Sequence, residues 1–554
     1  MRKILIGAGF VLAVLFLFFF RLGDRPLWSS DEGRFGEIAR EMAESGDYVV
    51  PSFNYVDYLD KPAMASWLSA GAIHLWGPNS FSVRFPLAVA AVLGIFMTGW
   101  FVRRFCSDRA AFLAMMFQTT GLGYVLVGRF AVIDMLLTFF LSGAFFCLFA
   151  GYQFQKKQWY WAAYLFIGAA FLTKGLLAVV LTGGTMLSFL LWERKLGELK
   201  KMSLFFGAGL FLLVVAPWFL AMNHREPEFF NIFFVKHQFS RFAGGDLGRS
   251  RPFWFYAPIL LAIALPWSFY IPAAVKTVFK AVSFEKFRRF LFCWAAVAFL
   301  FFSMSKGKLP YYILPISVPL SILFALLFDD FFNKRLQPNT ESLLHKSWIV
   351  LYGLLFVAIP GFNLFILIWG DTLIEASRMM RPFLWTASGG TLVLLFLSAK
   401  AYGKKDFKKA LWILAAVPYL ILTTTSAAMN YLTPMQSTAE FALEIQRLDK
   451  PGSIVAIYSS PDHFSDLPFN LKKRISVVGT DRGTLDRESR EDEALHGPSE
   501  WFLAKDTFAD LFNARQRQVF LLVDEDKYAE IVGTGLKSPK ILKQEFNKVL
   551  VTNL

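Results

Sequence analysis

The chain alternates long apolar runs with short polar connectors over most of its length. An apolar run of about twenty residues is long enough to cross the hydrocarbon core of a membrane as a helix. The pattern predicts thirteen transmembrane segments at about 4–22, 81–102, 110–128, 131–151, 159–173, 176–192, 203–222, 254–275, 290–304, 310–328, 347–369, 383–399 and 409–428. We therefore expect a polytopic α-helical membrane protein.

The connectors between these runs fall into two sets that alternate along the chain. One set is rich in basic residues, for example Arg103/Arg104, Arg194/Lys195 and Lys404/Lys405. The positive-inside rule places such connectors in the cytoplasm. The first outer loop (23–80), the second outer loop (223–253) and the tail are then on the opposite face of the membrane.

The tail has a different pattern. Short strand-like stretches at 453–460, 474–479 and 517–526 follow or lie between helical, charged segments at 436–448 and 498–513. This alternation is typical of a small α/β domain. We predict a transmembrane catalytic domain over residues 1–429 and a soluble periplasmic α/β domain over residues 430–554.

Composition agrees with a membrane protein and narrows its partners. The chain has 554 residues, of which 55% are hydrophobic, and its formal net charge is +15. Because the basic residues lie mostly in connectors, the charge reflects topology and does not indicate a nucleic-acid partner. The three cysteines lie in or beside apolar runs, so no disulfide framework is expected.

A second group of polar residues lies at the outer ends of the apolar runs. Charges at membrane depth are costly and are usually functional. The group comprises Asp31, Glu32 and Arg34, Asp60 and Lys61, Asp134, Lys174, His237 and Arg241, and Lys306 and Lys308 with Tyr311 and Tyr312. We expect these side chains, which are far apart in the chain, to form one pocket just below the outer membrane surface.

Each of these residues also has a simpler interpretation. Asp31 and Glu32 stand at the start of one predicted helix and Asp134 near the start of another, where carboxylates are stabilised by free backbone N–H groups. Lys174 can extend its ammonium to the membrane surface, and Lys61 and Lys308 can be interfacial anchors. A single histidine such as His237 is a weak metal signal, because metal sites need several ligands.

Considered together, the residues suit a phosphate-binding pocket. Arg and Lys bind phosphate oxygens, and a nearby carboxylate can accept a proton from an attacking hydroxyl. The chain has no glycine-rich nucleotide motif in a strand–loop–helix setting. A pocket at the membrane edge therefore favours a lipid-linked phosphate over a free nucleotide.

Several motifs resemble those of one enzyme family. They are "DEGRFGEIAREMAESGDYVVPSFN", "YLDKPAMASWL", "RFAVIDMLLTFF", "FLTKGLLAVVL", "RPFWFYAPILL" and "SKGKLPYYILP". With them the chain resembles the GT-C membrane glycosyltransferases of the protein mannosyltransferase-like type, and specifically the aminoarabinose transferases of lipid A. The resemblance implies a GT-C fold, a polyprenyl-phosphate-linked sugar donor, and a lipid or glycan acceptor in the bacterial inner membrane.

The resemblance also implies roles for individual residues. Asp31 matches the family's essential acid and Asp134 a second acid. The donor phosphate is expected to be held by Arg34, Lys61, Arg241, Tyr312 and Lys308, and the substrate to contact Lys174 and Tyr311. Asp60 stands where the family usually has Glu, and His237 stands where two histidines are common. A divalent metal ion at Asp60 and His237 is thus left open.

The expected activity is that of an inverting glycosyltransferase. It would move a sugar, for example 4-amino-4-deoxy-L-arabinose, from undecaprenyl phosphate to lipid A or a related envelope acceptor on the periplasmic side. Two alternatives stay open at this point. One is a protein or polysaccharide glycosyltransferase that uses the same donor class. The other is a lipid-linked sugar transporter, although transporters usually bind near the membrane midplane between repeated halves.

Overall fold

The computed structural model describes residues 2–240, 250–280, 283–373, 377–481, 483 and 501–554. The helices before the tail are α1 (Arg2–Phe19), α2 (Asp31–Ser45), α3 (Met64–Trp76), α4 (Ser80–Phe105), α5 (Asp108–Thr119), α6 (Leu122–Val127), α7 (Asp134–Phe154), α8 (Lys157–Lys174), α9 (Leu177–Trp192), α10 (Leu204–Arg225), α11 (Tyr256–Ile263), α12 (Ile271–Phe279), α13 (Glu285–Met304), α14 (Ser317–Phe332), α15 (Pro338–Leu373), α16 (Ser377–Gly403), α17 (Phe407–Ala415) and α18 (Val417–Gln436). A π-helical stretch covers Asn231–Ser240, and a 3₁₀ segment, Pro310–Ile316, precedes α14.

Every predicted apolar segment coincides with a helix or with a pair of broken helices. The segment 110–128 is divided between α5 and α6, the segment 254–275 between α11 and α12, and the segment 409–428 between α17 and α18. The segment 310–328 consists of the 3₁₀ segment and most of α14. By length and apolarity, eight helices of the described residues can cross a membrane, or up to nine if the bent pair Phe253–Ile263 and Trp267–Phe279 is one span. The prediction of a polytopic helical membrane protein is confirmed.

The tail folds around one mixed sheet. Its helices are α19 (Ala439–Leu448), α20 (Leu467–Leu471), α21 (Lys505–Ala514) and α22 (Glu525–Gly533), and its strands are β3 (Ile454–Tyr458), β4 (Ser476–Val478), β5 (Phe502–Leu503), β6 (Val519–Asp524), β7 (Lys540–Glu545) and β8 (Lys548–Thr552). The strand order is β5-β4-β3-β6-β8-β7. Strands β5, β4, β3 and β6 are parallel to one another, β8 is antiparallel to β6, and β7 is antiparallel to β8. We call this unit the sheet domain.

The first outer loop is folded between the helical bundle and the sheet domain. It contains α2, a hairpin of β1 (Ser52–Phe53) and β2 (Val56–Asp57), and α3. Ile38 of α2 and Phe53 and Val56 of the hairpin share one hydrophobic core with Ile457 and Phe520 of the sheet. Because burial of apolar area is the main stabilising contribution to folding, this shared core fixes the sheet domain over the loop.

Candidate active site

Asp31 is the first residue of helix α2, and its carboxylate accepts hydrogen bonds from two side chains. Nη2 of Arg34, one turn later in the helix, donates to Oδ1. The hydroxyl of Tyr311, which belongs to the 3₁₀ segment before α14, donates to Oδ2. Asp31 therefore connects the first outer loop to a distant part of the bundle, as the sequence predicts for a shared pocket.

Arg34 is buried, with only 4% of its surface exposed. Its Nη1 donates to Oδ1 of Asp462 in the sheet domain at 2.7 Å. Burial by itself lowers the pKa of Arg34, but the surrounding acidic groups outweigh burial and raise the pKa well above its ordinary value. These groups are Tyr58, Asp31, Asp462 and Asp60, in decreasing order of effect. The guanidinium is therefore a permanent positive charge.

Lys61 follows the hairpin and is held by its neighbours. Its Nζ lies 2.8 Å from Oδ1 of Asp60, and the hydroxyl of Tyr58 donates to Oδ2 of Asp60 at 3.2 Å. Lys61 is partly exposed, with 18% of its side chain accessible, whereas Asp60 is buried. The lysine can thus present its charge to a ligand while its carboxylate partner fixes its position.

Asp134 and Lys174 form a second ion pair inside the bundle. Asp134 is the first residue of α7 and Lys174 the last residue of α8, and Nζ of Lys174 lies 2.5 Å from Oδ1 of Asp134. The same ammonium lies 3.8 Å from the centre of the Tyr312 ring. A cation over an aromatic face is stabilised by the ring quadrupole. The lysine is therefore held between a carboxylate and a tyrosine.

The Asp134–Lys174 pair lies close to the group formed by Asp31, Arg34 and Lys61. Asp134 is within electrostatic range of both Asp31 and Lys61. The rings of Tyr311 and Tyr312 are 5.4 Å apart and nearly perpendicular, so consecutive residues contact Asp31 on one side and Lys174 on the other. These residues, which are far apart in the chain, therefore lie together at one end of the bundle, beside the sheet domain.

Lys308 is directed differently from the sequence prediction of a phosphate ligand. Its Nζ donates to the carbonyl oxygen of Arg251 at 3.0 Å and also to the carbonyl oxygen of Ser305. These bonds connect the chain before α11 with the turn after α13. In this arrangement the ammonium fixes two backbone segments to each other, and the assignment of Lys308 to the donor phosphate stays a prediction.

The predicted metal position is only partly covered by the structure. Arg241 and the side chain of His237 lie outside the described residues. Within the described residues, no group of three or more His, Cys, Asp or Glu side chains could hold a metal ion. Asp60 is already paired with Lys61 and Tyr58. Of the two expected ligands only Asp60 has a described side chain, so a divalent ion at Asp60 and His237 stays a prediction.

Glu32, next to Asp31, has a different environment and serves as an anchor. Its carboxylate pairs with Arg84 at 2.8 Å and with Arg25 at 2.9 Å, and it accepts the backbone N–H of Ala131 at 2.9 Å. Burial by itself raises the pKa of Glu32, but the charges of Arg84 and Arg25 outweigh burial and lower the pKa to about 2. The carboxylate holds the outer loop against the starts of α4 and α7.

Two residues of this site escape prediction from the sequence. Tyr58 is one of several aromatic residues in the outer loop, and nothing in the sequence distinguishes it from the others. Its contact with Asp60 follows from the hairpin turn. Asp462 lies in the segment "SSPDHFSD" after β3. The carboxyl ends of parallel strands commonly carry functional residues, which is the signal that could have pointed to Asp462.

The arrangement combines fixed cations with two carboxylates in a buried setting. Arg34, Lys61 and Lys174 are charged donors of the kind that binds phosphate oxygens. Asp31 and Asp134 are carboxylates that can orient or deprotonate a hydroxyl. Because the charges are preorganised away from bulk water, they can stabilise charge that develops on a leaving phosphate.

Comparison with known proteins gives a consistent result. The sequence pattern of the dolichyl-phosphate-mannose-protein mannosyltransferase family matches residues 60–220. The chain is 30% identical over 488 residues to an undecaprenyl phosphate-alpha-4-amino-4-deoxy-L-arabinose arabinosyl transferase of Shewanella sediminis, with 87% of each chain covered. It is 32% identical over 442 residues to the enzyme of the same name from Edwardsiella ictaluri, covering 76% of this chain and 77% of the other.

Solved structures show the same fold. The crystal structure of ArnT from Cupriavidus metallidurans bound to undecaprenyl phosphate superposes with a TM-score of 0.86 at 24% identity, covering 99% of this chain and 98% of that one. The Archaeoglobus fulgidus oligosaccharyltransferase in the apo form superposes with a TM-score of 0.52 at 12% identity, covering 94% of this chain and 70% of that one. The predicted GT-C fold with a sheet domain after the bundle is confirmed.

Proposed function

Because the chain belongs to the undecaprenyl phosphate-alpha-4-amino-4-deoxy-L-arabinose arabinosyl transferase family, we propose that it transfers this aminosugar from undecaprenyl phosphate to lipid A. The protein acts in the bacterial inner membrane. Its site faces the periplasm, since the basic connectors of the sequence indicate that the first outer loop and the sheet domain lie outside the cytoplasm.

The donor phosphate binds among the cations. Lys61 and Arg34 attract the phosphate oxygens, and Tyr312 beside Lys174 supplies a further polar contact; Arg241, predicted from the sequence, completes the group. As the sugar leaves, negative charge builds on the phosphate, and fixed positive charges stabilise that change more than they stabilise the bound donor. Arg241→Ala is accordingly expected to weaken binding of undecaprenyl phosphate.

The chemical step is a single displacement at the anomeric carbon. A bond forms between the acceptor oxygen and that carbon, the bond from the carbon to the phosphate oxygen breaks, and its electron pair leaves with the phosphate. The configuration at the anomeric carbon is inverted. Asp31 accepts the proton of a hydroxyl acceptor, or orients an acceptor that is already an ionised phosphate, and Asp134 shapes the same pocket with Lys174.

One observation carries this proposal above the others: Asp31 is held by both Arg34 and Tyr311 beside the Asp134–Lys174 pair. Capping of helix α2 does not require either partner, and a surface anchor does not need a buried arginine. A carboxylate fixed by two directed donors, next to further cations, is the arrangement that an acid–base group acting on a phosphate-linked substrate needs.

The test uses purified protein reconstituted with undecaprenyl-phosphate-linked aminoarabinose and lipid A. Asp31→Asn keeps the size of the side chain but removes its charge, and we expect transfer to fall by about a hundredfold or more. Asp24→Asn, an exposed acid of the same loop that pairs with Arg21 at the surface, is the matched control and should keep parental activity. Transfer by Asp31→Asn near the parental rate would refute the role of Asp31.

A second acceptor class has support from the match of residues 60–220 to the protein mannosyltransferase pattern. A protein acceptor would use the same donor pocket with a different surface above it. Mass spectrometry of envelope lipids and envelope proteins, with and without the chain, separates the two. Aminoarabinose on lipid A supports the first proposal, and sugar found on protein alone supports the second.

A further inference from the structure

The sheet domain is attached to the first outer loop by directed polar contacts as well as by the shared core. Asp466 is buried and accepts hydrogen bonds from Ser29 at 2.5 Å, from Ser437 at 2.6 Å and from the backbone N–H of Thr438 at 2.7 Å. These partners belong to the outer loop and to the segment that enters the sheet domain. The contact therefore fixes the domain directly beside the start of helix α2.

The backbone approach at this point is unusually close. A Cβ atom built on Gly33 would lie 2.5 Å from the backbone nitrogen of Asp466. Asn54 at the tip of the hairpin donates to the carbonyl of Ile475 and accepts its N–H, both at 2.9 Å. The contacts at Asp466 and at Ile475 together fix the position and the orientation of the loop after β3, which carries Asp462.

Asp462 is the residue of this loop that reaches the candidate site. Its Oδ1 lies 2.7 Å from Nη1 of Arg34, while Nη2 of the same guanidinium donates to Asp31. The two terminal nitrogens of the Arg34 guanidinium are thus divided between two carboxylates from different domains. A guanidinium facing a single carboxylate tends to bind both of its oxygens in a bidentate pair.

We infer that Asp462 is a positioning residue for the transfer reaction, which holds one arm of Arg34 so that Asp31 stays available to the acceptor. The inference rests on the proposed function. Two carboxylates share one guanidinium, so this group keeps a net negative charge beside the reacting atoms. Without Asp462, Arg34 can turn both arms to Asp31, neutralise it and make it a weaker base.

The charged and hydrogen-bonding groups around Asp31 determine the pH at which its carboxyl group ionises. Arg34 favours its charged form, whereas Asp134 opposes it, and Tyr311 donates to it. Lys61 lies within electrostatic range of Asp134. Removal of Asp462 frees Arg34 for Asp31 and removes a nearby negative charge, and both changes favour ionised Asp31. The acidic limb of the rate profile should then move to lower pH, while the turnover falls.

The experiment compares pH profiles of kcat/KM for the full-length reconstituted protein and for Asp462→Asn, which keeps shape and loses charge. We expect kcat to fall by about tenfold to a hundredfold and the acidic limb to move down by about one pH unit. Asp462→Glu restores the charge and should restore both quantities. Asp510→Asn, an exposed acid of the same domain, is the matched control and should match the parent.

The outcomes distinguish a positioning role of Asp462 from a purely structural role, and also from failure of the proposed function. If Asp462 only attaches the domain, Asp462→Asn lowers the active fraction, and the limb of the profile does not move; that result overturns the inference. An active parent with an unaltered Asp462→Asn overturns it as well and leaves the proposed function intact. A parent that transfers no sugar overturns the proposed function first. Asp462→Ser repeats the comparison if the Asn variant does not fold.

Discussion

Nζ of Lys174 lies 2.5 Å from Oδ1 of Asp134. Lys174 is the last residue of helix α8 and Asp134 is the first residue of helix α7. Asp134 is fully buried, with 1% of its surface exposed. An ion pair in such a place is stable only while both members are present, because a single buried charge is poorly solvated.

This pair allows the structural and catalytic roles of Asp134 to be separated. Lys174→Met or Asp134→Asn alone should each destabilise the protein by about 3–5 kcal/mol, whereas the double variant should regain much of that stability. Thermal unfolding of the three variants in detergent measures the difference. If Asp134 serves the reaction, the double variant stays inactive although it is stable. A double variant that regains transfer would make the pair purely structural.

The two adjacent tyrosines are expected to affect different kinetic constants. Tyr311 donates its hydroxyl to Asp31, whereas the ring of Tyr312 lies against Lys174 in the predicted phosphate pocket. Tyr311→Phe should lower kcat by about tenfold to a hundredfold, since it removes a hydrogen bond to a charged group, and leave donor affinity almost unchanged. Steady-state transfer and binding of undecaprenyl phosphate measure the two quantities.

Tyr312→Phe is the matched comparison, because it keeps the ring over Lys174 and loses only the hydroxyl. We expect weaker binding of the donor with a smaller effect on kcat. Equal effects of the two substitutions on both constants would contradict the separate roles of the neighbouring tyrosines.

Gly33 tests how closely the sheet domain must approach the site. Alanine is favoured over glycine within a helix by about 1 kcal/mol, so Gly33→Ala would be stabilising in an isolated helix α2. The Cβ atom of alanine would, however, lie 2.5 Å from the nitrogen and 2.7 Å from Cα of Asp466. We therefore expect Gly33→Ala to lower the melting temperature and to reduce transfer as Arg34 and Asp462 separate.

The control is Gly71→Ala in helix α3, where a Cβ would meet nothing within 4 Å. This variant should be as stable as the parent or more stable. If Gly33→Ala behaves like Gly71→Ala in both unfolding and transfer, the sheet domain does not need its close contact with helix α2.

The sequence predicts the bundle well, because apolar run length and basic connectors report directly on membrane crossing. Asp31, Lys61, Asp134 and Lys174 stand out for the same reason, as charges where the membrane makes charge costly. Strands β7 and β8 are missed, although the alternation of "KILKQEFNKVLVT" is a hairpin pattern that could have identified them. Strand β5 lies within the segment 498–513, which the sequence predicts to be helical throughout.

What the sequence could not reveal is how neighbouring charges divide their tasks. Asp31 and Glu32 are adjacent acids with similar local signals, yet one faces the site and the other is buried between Arg25 and Arg84. Helix geometry directs consecutive side chains to different sides of the helix. Only the packing of distant segments decides which of these sides faces the candidate site. Asp462 depends in the same way on the docking of a separate domain.

Glu32 provides a pH-dependent test of this anchoring role. Its pKa in the folded protein is about 2, below the ordinary value of 4.5. A carboxyl whose pKa is depressed by folding stabilises the folded state fully above its ordinary pKa, and this contribution is lost as the pH falls toward the folded pKa. The stabilisation by Glu32 should therefore be complete above pH 4.5 and decline between 4.5 and about 2.

Glu32→Gln should then be less stable than the parent by about 3–5 kcal/mol near neutral pH, because Arg84 and Arg25 lose their shared counter-charge. The difference in melting temperature between parent and variant should narrow as the pH is lowered below 4.5, since the parent itself becomes protonated. Glu228→Gln, an exposed acid after helix α10, should melt with the parent throughout the series. A gap that stays constant down to the lowest pH at which the protein is soluble would mean that shape, and not charge, makes Glu32 the anchor.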